Sequence, residues 1–218
     1  MTNKLLLSAF FLIAYSGIAV GEKAHMVTFS ISLEDESANL VKDGVFLFTP
    51  QFKLDQSQMP SYQPAIMNQV DKQFVPHVLV VPAGTEVTFP NADSLFHHVY
   101  SFSPTKQFEL KLYTEFTAEP LRFEKAGVVD IGCNIHDWML GYIVVSDAPY
   151  FGKTNEEGQT TIVLPIGEYR VSFWHPQVDG EQAFSTRSVS VSSDTSKQWK
   201  LTATIESDDN FDFGFGDY

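Results

Sequence analysis

Apolar and polar residues alternate with a period of two along most of the chain, in short runs. They cover Met26 to Ser32, Val45 to Phe48, Val78 to Val81, Glu86 to Phe89, His98 to Phe102, Val128 to Cys133 and Tyr142 to Val145. Further runs follow at Thr160 to Leu164, Glu168 to Trp174, Ser188 to Ser192 and Lys197 to Ile205. Val, Ile, Thr, Phe and Tyr dominate them, and Gly, Pro, Asn or Asp separates them, the signature of half-buried strands joined by turns. No window repeats apolar residues at helical spacing over three turns. The pattern predicts an all-β protein of packed sheets.

The pattern breaks in four places. From Leu54 to Ala65 the chain carries Gln, Ser and two prolines with almost no apolar period, which predicts a linker. At Asp147 to Phe151 the character changes again, to strands with fewer aromatics and turns such as Asn155 to Gly158. One compact β domain is therefore expected over residues 66–146, with N-terminal strands and a linker over 22–65 and further strands over 147–205. Residues 206–218 are expected to be an acidic disordered tail, since Asp209 to Tyr218 mix acids, glycines and aromatics with no face to bury. At the other end Lys4, the apolar run Leu5 to Val20, and Ala19 and Gly21 before Glu22 form a signal peptide over 1–21. That run is shorter than the ~20 residues that cross a bilayer, so the chain is expected to be exported to the periplasm without a membrane span.

The formal charge is −13, and loss of Lys4 with the signal takes it to −14. A surface of that sign excludes nucleic acid as a natural partner. The single cysteine, Cys133, cannot form an internal disulfide, so it is a buried thiol, an intermolecular link or a metal ligand. Its neighbours read Cys133, Asn134, Ile135, His136, Asp137, Trp138, Met139. A thiolate, an imidazole and a thioether within seven residues make a soft nitrogen-and-sulfur set of the kind that selects copper. The competing account makes Cys133 and Met139 core filler and His136 a surface residue.

A copper site of this kind needs a second imidazole from a distant strand. The segment Val87, Thr88, Phe89, Pro90, Asn91, Ala92, Asp93, Ser94, Leu95, Phe96, His97, His98, Val99 offers two. With Phe74, Pro76, Val78, Val80, Gly84, Val87, Phe89 and Asn91 ahead of His97 and Val99, and with C-x2-H-x2-M behind, the chain resembles the small cupredoxins such as plastocyanin and amicyanin. The two-residue gap from His to Met is similar to amicyanin in particular. HHVYSFSP and GCNIHDWM also resemble cupredoxin-like proteins labelled methylamine utilisation proteins. The resemblance covers residues 66–146 and implies a Greek-key β-sandwich with one type 1 copper ion held by His97, Cys133, His136 and Met139.

One departure from the pattern is His98, where that family usually has Asn. Adjacent strand residues face opposite sides, so His97 and His98 do not easily share a metal. The interval from Asn91 and the following Val99 favour His97, whereas the apolar phase of Tyr100 and Phe102 favours His98. We take His97 as the ligand and His98 as a tether between ligand loops.

Residues 153–176, KTNEEGQTTIVLPIGEYRVSFWHP, and the early run MVTFSISLEDESANLVKDGVFLF resemble carboxypeptidase-regulatory-like or transthyretin-like sandwiches. The copper domain would then be inserted between two parts of a second small β-sandwich; extra strands on the cupredoxin sheets are the alternative. His25, His77 and His175 are read as structural. No paired histidines remain for a multicopper cluster, and no nucleophile-elbow pattern is present, so an enzyme is not expected. The expected function is electron transfer at a copper cycling between Cu(II) and Cu(I), with a copper carrier using the same ligands as the alternative. The redox partner is expected to be a protein with a basic face, such as a small cytochrome, which meets an apolar patch formed by Phe96 and Trp138.

Overall fold

The computed structural model describes residues 25–113, 119–178 and 186–206; the expected signal peptide and nearly all of the acidic tail lie outside them. In chain order the strands are β1 Met26–Glu34, β2 Val45–Pro50, β3 Ala65–Ile66, β4 Asn68–Val70, β5 Gln73–Val75 and β6 Val78–Pro82. There follow β7 Thr85–Thr88, β8 His97–Ser101, β9 Phe108–Tyr113, β10 Leu121–Phe123, β11 Gly127–Cys133 and β12 His136–Ser146. The chain ends with β13 Tyr150–Lys153, β14 Gln159–Pro165, β15 Gly167–Trp174, β16 Thr186–Val191 and β17 Thr195–Lys200. Among the described residues the one helical element is a 3-10 turn at Gln56–Gln58, so the all-β expectation holds.

The strands form four larger sheets and a hairpin. One sheet has the order β14-β1-β17 and another β13-β2-β15-β16. Alternation explains how they pack: Val27, Phe29, Ile31 and Leu33 of β1 all point inward against Phe46, Phe48, Tyr169, Val171 and Phe173. The remaining two, β10-β7-β3 and β6-β12-β11-β8-β9, close on a second core containing Phe74, Val87, Phe89, Val99, Phe123, Val129, Ile131 and Ile143. A third, smaller cluster joins the two bodies. In it the outer faces of β6 and β12 (Val78, Val144) meet the outer faces of β2 and β15 (Val45, Leu47, Trp174), with Ala148 between.

Six strands escaped the alternation pattern. Four of them, β3, β4, β5 and β10, have only two or three residues, too few for a period to register. Residues 54–64 are irregular apart from the turn at Gln56–Gln58, but tied down. Tyr62 stacks on Phe151 with centroids 5.0 Å apart and donates its hydroxyl to the Pro149 carbonyl, and Tyr150 donates to the Gln58 carbonyl. The strand read as Lys197 to Ile205 stops at Lys200, although Leu201 and Ile205 still pack on the core. Glu206 is not loose: its N–H donates to Gln177 Oε1 at 2.7 Å, and Gln177 Nε2 donates to its carbonyl at 2.9 Å.

Asp35 closes this end of the fold. Its buried carboxylate accepts the Asn39 N–H at 2.8 Å, Asn39 Nδ2 at 3.0 Å and the Ile205 N–H at 3.2 Å. Burial pushes the carboxyl up, but Asn39 together with the N–H groups of Ile205 and Ser37 outweighs it, and the net direction is below 3.8. A depressed folded-state pKa contributes stability above the unfolded value that is lost as pH falls through it. Asp35→Asn should therefore unfold at lower urea than wild type at pH 7, with the gap narrowing below about pH 4. A gap that stays constant down to pH 3 would contradict this account.

Candidate metal centre

Three side chains that the sequence singled out converge. Cys133 ends β11, His136 begins β12, and His97 begins β8 on the other side of β11. The Cys133 sulfur lies 3.6 Å from His97 Nδ1 and 3.7 Å from His136 Nδ1. One donor atom from each of the three lies within 4.8 Å of the others, and the imidazole rings tilt at 54° with centroids 4.9 Å apart. For bonds as long as zinc makes, about 2.0 Å to nitrogen and 2.3 Å to sulfur, two ligands at 120° stand about 3.7 Å apart. Both N···S separations match a trigonal set of one sulfur and two nitrogens around a single ion. The donor chemistry, two imidazoles and a thiol, fits copper.

The local backbone explains the convergence. Between β11 and β12 the register jumps: Gly132 faces Leu140, but the next pair is Cys133 with His136. Asp137, Trp138 and Met139 are thus extra residues on β12, a large bulge. Simple alternation would put His136 and Met139 on opposite faces. With the bulge, the His136 ring reaches the buried sulfur while Met139, 2% exposed, packs in the same core as Cys133. Trp138 faces out, 38% exposed, its ring centroid 5.5 Å from that of His136. Leu95, Phe96 and Ile135 are also exposed, and the sequence places each within two residues of His97 or His136.

The two neighbouring histidines separate as strand alternation requires. His97 is wholly buried against Cys133, whereas the His98 ring turns to β9 and pairs with Glu109 Oε1 at 2.8 Å. The tether expected of His98 passes through its backbone instead, its carbonyl accepting the Asn134 N–H at 3.0 Å. His25 lies exposed, His77 packs edge-on to Tyr142, and His175 bonds to the Lys42 carbonyl and the Gln177 N–H. None of these three joins the cluster.

Electrostatics suit a ligand set. Burial first, then His97 and Lys72, push the His136 ring below 6.5 against the opposing pull of Asp93, so it is neutral near pH 7. Tyr113 is pushed up to about 12, by burial first and also by Cys133, against the lowering bond from Gln69 Nε2. Sequence reasoning missed two groups here. Gln69, fully buried, donates to Tyr113 Oη at 2.6 Å and to the Pro90 carbonyl at 3.1 Å. Asp93 Oδ2 stands 2.8 Å from His97 Nε2; its place four residues before His97 was the available signal.

No family model matches the chain, and no curated protein matches it. Solved structures do. A reduced amicyanin variant is 26% identical with a TM-score of 0.35, over 38% of this chain and 82% of its own. A purple cupredoxin from Nitrosopumilus maritimus is 28% identical with a TM-score of 0.31, over 37% and 96%. A copper-containing nitrite reductase from Thermus scotoductus is 25% identical with a TM-score of 0.36, over 40% of this chain but only 23% of its own. Part of this chain is similar to cupredoxins. Among the described residues no helix is long and apolar enough to cross a membrane.

Proposed function

We propose that the protein is an electron-transfer protein that would hold one type 1 copper ion through His97, Cys133 and His136, with Met139 as a weak fourth donor. The observation that carries this reading is a single buried thiol flanked at 3.6 and 3.7 Å by the Nδ1 atoms of two imidazoles. Copper, when bound, supplies a one-electron couple. The rest falls to the chain. Cys133 offers a covalent path from the site into β11, and the sheet around it keeps the donors in place and water out. His136 is the partly exposed ligand, and Trp138 and Phe96 give a partner an apolar surface beside it.

The metal-binding region is assigned to residues 66–146, inserted in a second sandwich made from 22–65 and 147–205. Supporting this, one core draws on side chains between Met67 and Val145, and the other on Val27 to Phe48 and Tyr150 to Leu201. We further read the protein as exported to the periplasm, with a redox partner that is basic around its own centre, because the charge of −13 would steer such a partner.

Copper(II) added to the metal-free protein should give intense thiolate-to-copper absorption and the matching electron paramagnetic resonance spectrum. Colourless binding, or rapid loss of Cu(I) to a chelator, would turn the reading toward a copper carrier. His97→Ala should lose the colour, whereas His98→Ala, which removes only the contact to Glu109, should keep it. The reverse pair of results would move the ligand to His98.

A further inference from the structure

Asp93 has a side chain only 12% exposed and is held from three directions. Its Oδ1 accepts the Asp71 N–H at 2.7 Å, its Oδ2 accepts the Lys72 N–H at 2.9 Å, and the same Oδ2 meets His97 Nε2 at 2.8 Å. Asp71 and Lys72 are the two turn residues between β4 and β5, with φ of 52° and 58°. Positive φ at both central residues is what a type I′ hairpin turn requires, and it is uncommon in residues other than glycine. Here the turn presents two successive N–H groups to one carboxylate, which makes it an anion-holding nest. Burial pushes the Asp93 carboxyl up, but the Lys72 N–H, His97 and the Asp71 N–H together take it below 3.8.

The hairpin is itself fastened to the loop that carries Asp93. Gln69 donates its N–H to the Pro90 carbonyl at 3.1 Å and accepts the Ala92 N–H at 2.9 Å. Within that loop Asn91 Oδ1 accepts the Asp93 N–H at 2.9 Å, while Asn91 Nδ2 donates to the Leu95 and Tyr113 carbonyls at 2.8 and 2.9 Å. An unbroken series of contacts therefore runs from the hairpin turn through Asp93 to the His97 ring and so to the Cys133 sulfur. Both Asp93 oxygens already accept turn N–H groups, so the carboxylate meets the ring as an acceptor: Nε2 of His97 carries the proton and Nδ1 keeps its lone pair toward Cys133.

We propose that Asp93, clamped by the amides of the Asp71–Lys72 turn, is the positioning residue of the metal centre: it fixes the orientation and tautomer of His97 and, through its charge, favours Cu(II) over Cu(I). This rests on the copper reading above. A carboxylate on the far nitrogen of a ligating imidazole raises that ligand's basicity, and losing such a partner costs metal affinity about 10–100-fold.

The test uses the full chain in two states. In the metal-free protein, nitrogen NMR should show His97 as the Nε2–H tautomer in wild type and as a mixture in Asp93→Ala. In the copper-loaded protein, Asp93→Asn keeps an acceptor for the ring but not the charge. Its colour should persist while affinity for Cu(II) relative to Cu(I) falls about tenfold, a rise of about 59 mV in potential for one electron. Asp93→Ala should bind Cu(II) about 10–100-fold more weakly. Lys72→Gly, which accepts the positive φ and keeps the N–H to Asp93, should leave His97 of the metal-free protein in the Nε2–H tautomer. An unchanged tautomer in Asp93→Ala, or an unchanged potential in Asp93→Asn, would overturn the proposal. Failure of wild type to bind copper would overturn the functional reading and the claimed bias toward Cu(II), while the tautomer would still decide the positioning claim.

Discussion

Cys133→Ser should abolish the thiolate-to-copper absorption of the copper-loaded protein completely while leaving the metal-free fold in place. The sulfur is the soft donor in the cluster of His97, Cys133 and His136, and the visible transition of a type 1 site is charge transfer from that sulfur. Copper(II) affinity should fall by more than the 10–100-fold expected for losing a supporting partner, because on the proposed reading a ligand itself is removed. The fold should tolerate the change because serine is close in size to cysteine. Cys133 is 3% exposed, but a hydroxyl there finds His97 Nδ1 and His136 Nδ1 already turned toward it, so a buried polar group would not be left unpaired. Two measurements check this: the visible spectrum after copper titration, and thermal unfolding of both metal-free proteins. A serine variant that kept its colour would remove Cys133 from the site, and one that failed to fold would make the thiol a packing element first.

Phe46→Ala should have the largest effect on stability and none on the spectrum of the folded copper form. Phe46 is fully buried in the sandwich away from the metal cluster, with ring centroids 5.1 Å from those of both Phe173 and Trp199. Truncating a buried Phe costs about 3–5 kcal/mol, the lost transfer energy plus the cavity left behind. At about 2–4 °C per kcal/mol for a chain of this size, the melting temperature should drop by roughly 6–20 °C. Differential scanning calorimetry with parallel absorption would separate the two readouts. Calorimetry would also show whether the two cores unfold together, since Val45 and Leu47 on the same strand contact Val78 and Val144 of the other body. A weakened copper spectrum in the folded variant would mean that the two cores communicate more closely than their separate clusters imply.

Much of this architecture was legible because the strands that carry it are long and alternate cleanly. β1, β6, β11, β14 and β15 fell within a residue or two of where apolar spacing put them. The short β3, β4 and β5 were not legible, since two or three residues carry no period, yet β4 and β5 build the hairpin that holds Asp93. The spacing of Cys133, His136 and Met139 announced soft metal chemistry without showing how residues three apart on one strand could face the same core. The register jump between Gly132 and Cys133 supplies that answer. Trp138, equally readable as core or contact residue, is exposed.

By itself the sequence determined the all-β class and singled out a candidate donor set of soft chemistry, because both follow from residue type and local spacing. Tertiary structure decided what depends on pairing between distant segments. It chose His97 over His98 to face the sulfur, since only the pairing of β8 with β11 fixes which side of that strand meets Cys133. It moved the His98 tether from ring to backbone. It also brought two turn amides onto a carboxylate some twenty residues away, a contact that local spacing does not encode because it exists only after the hairpin has docked beside the ligand loop.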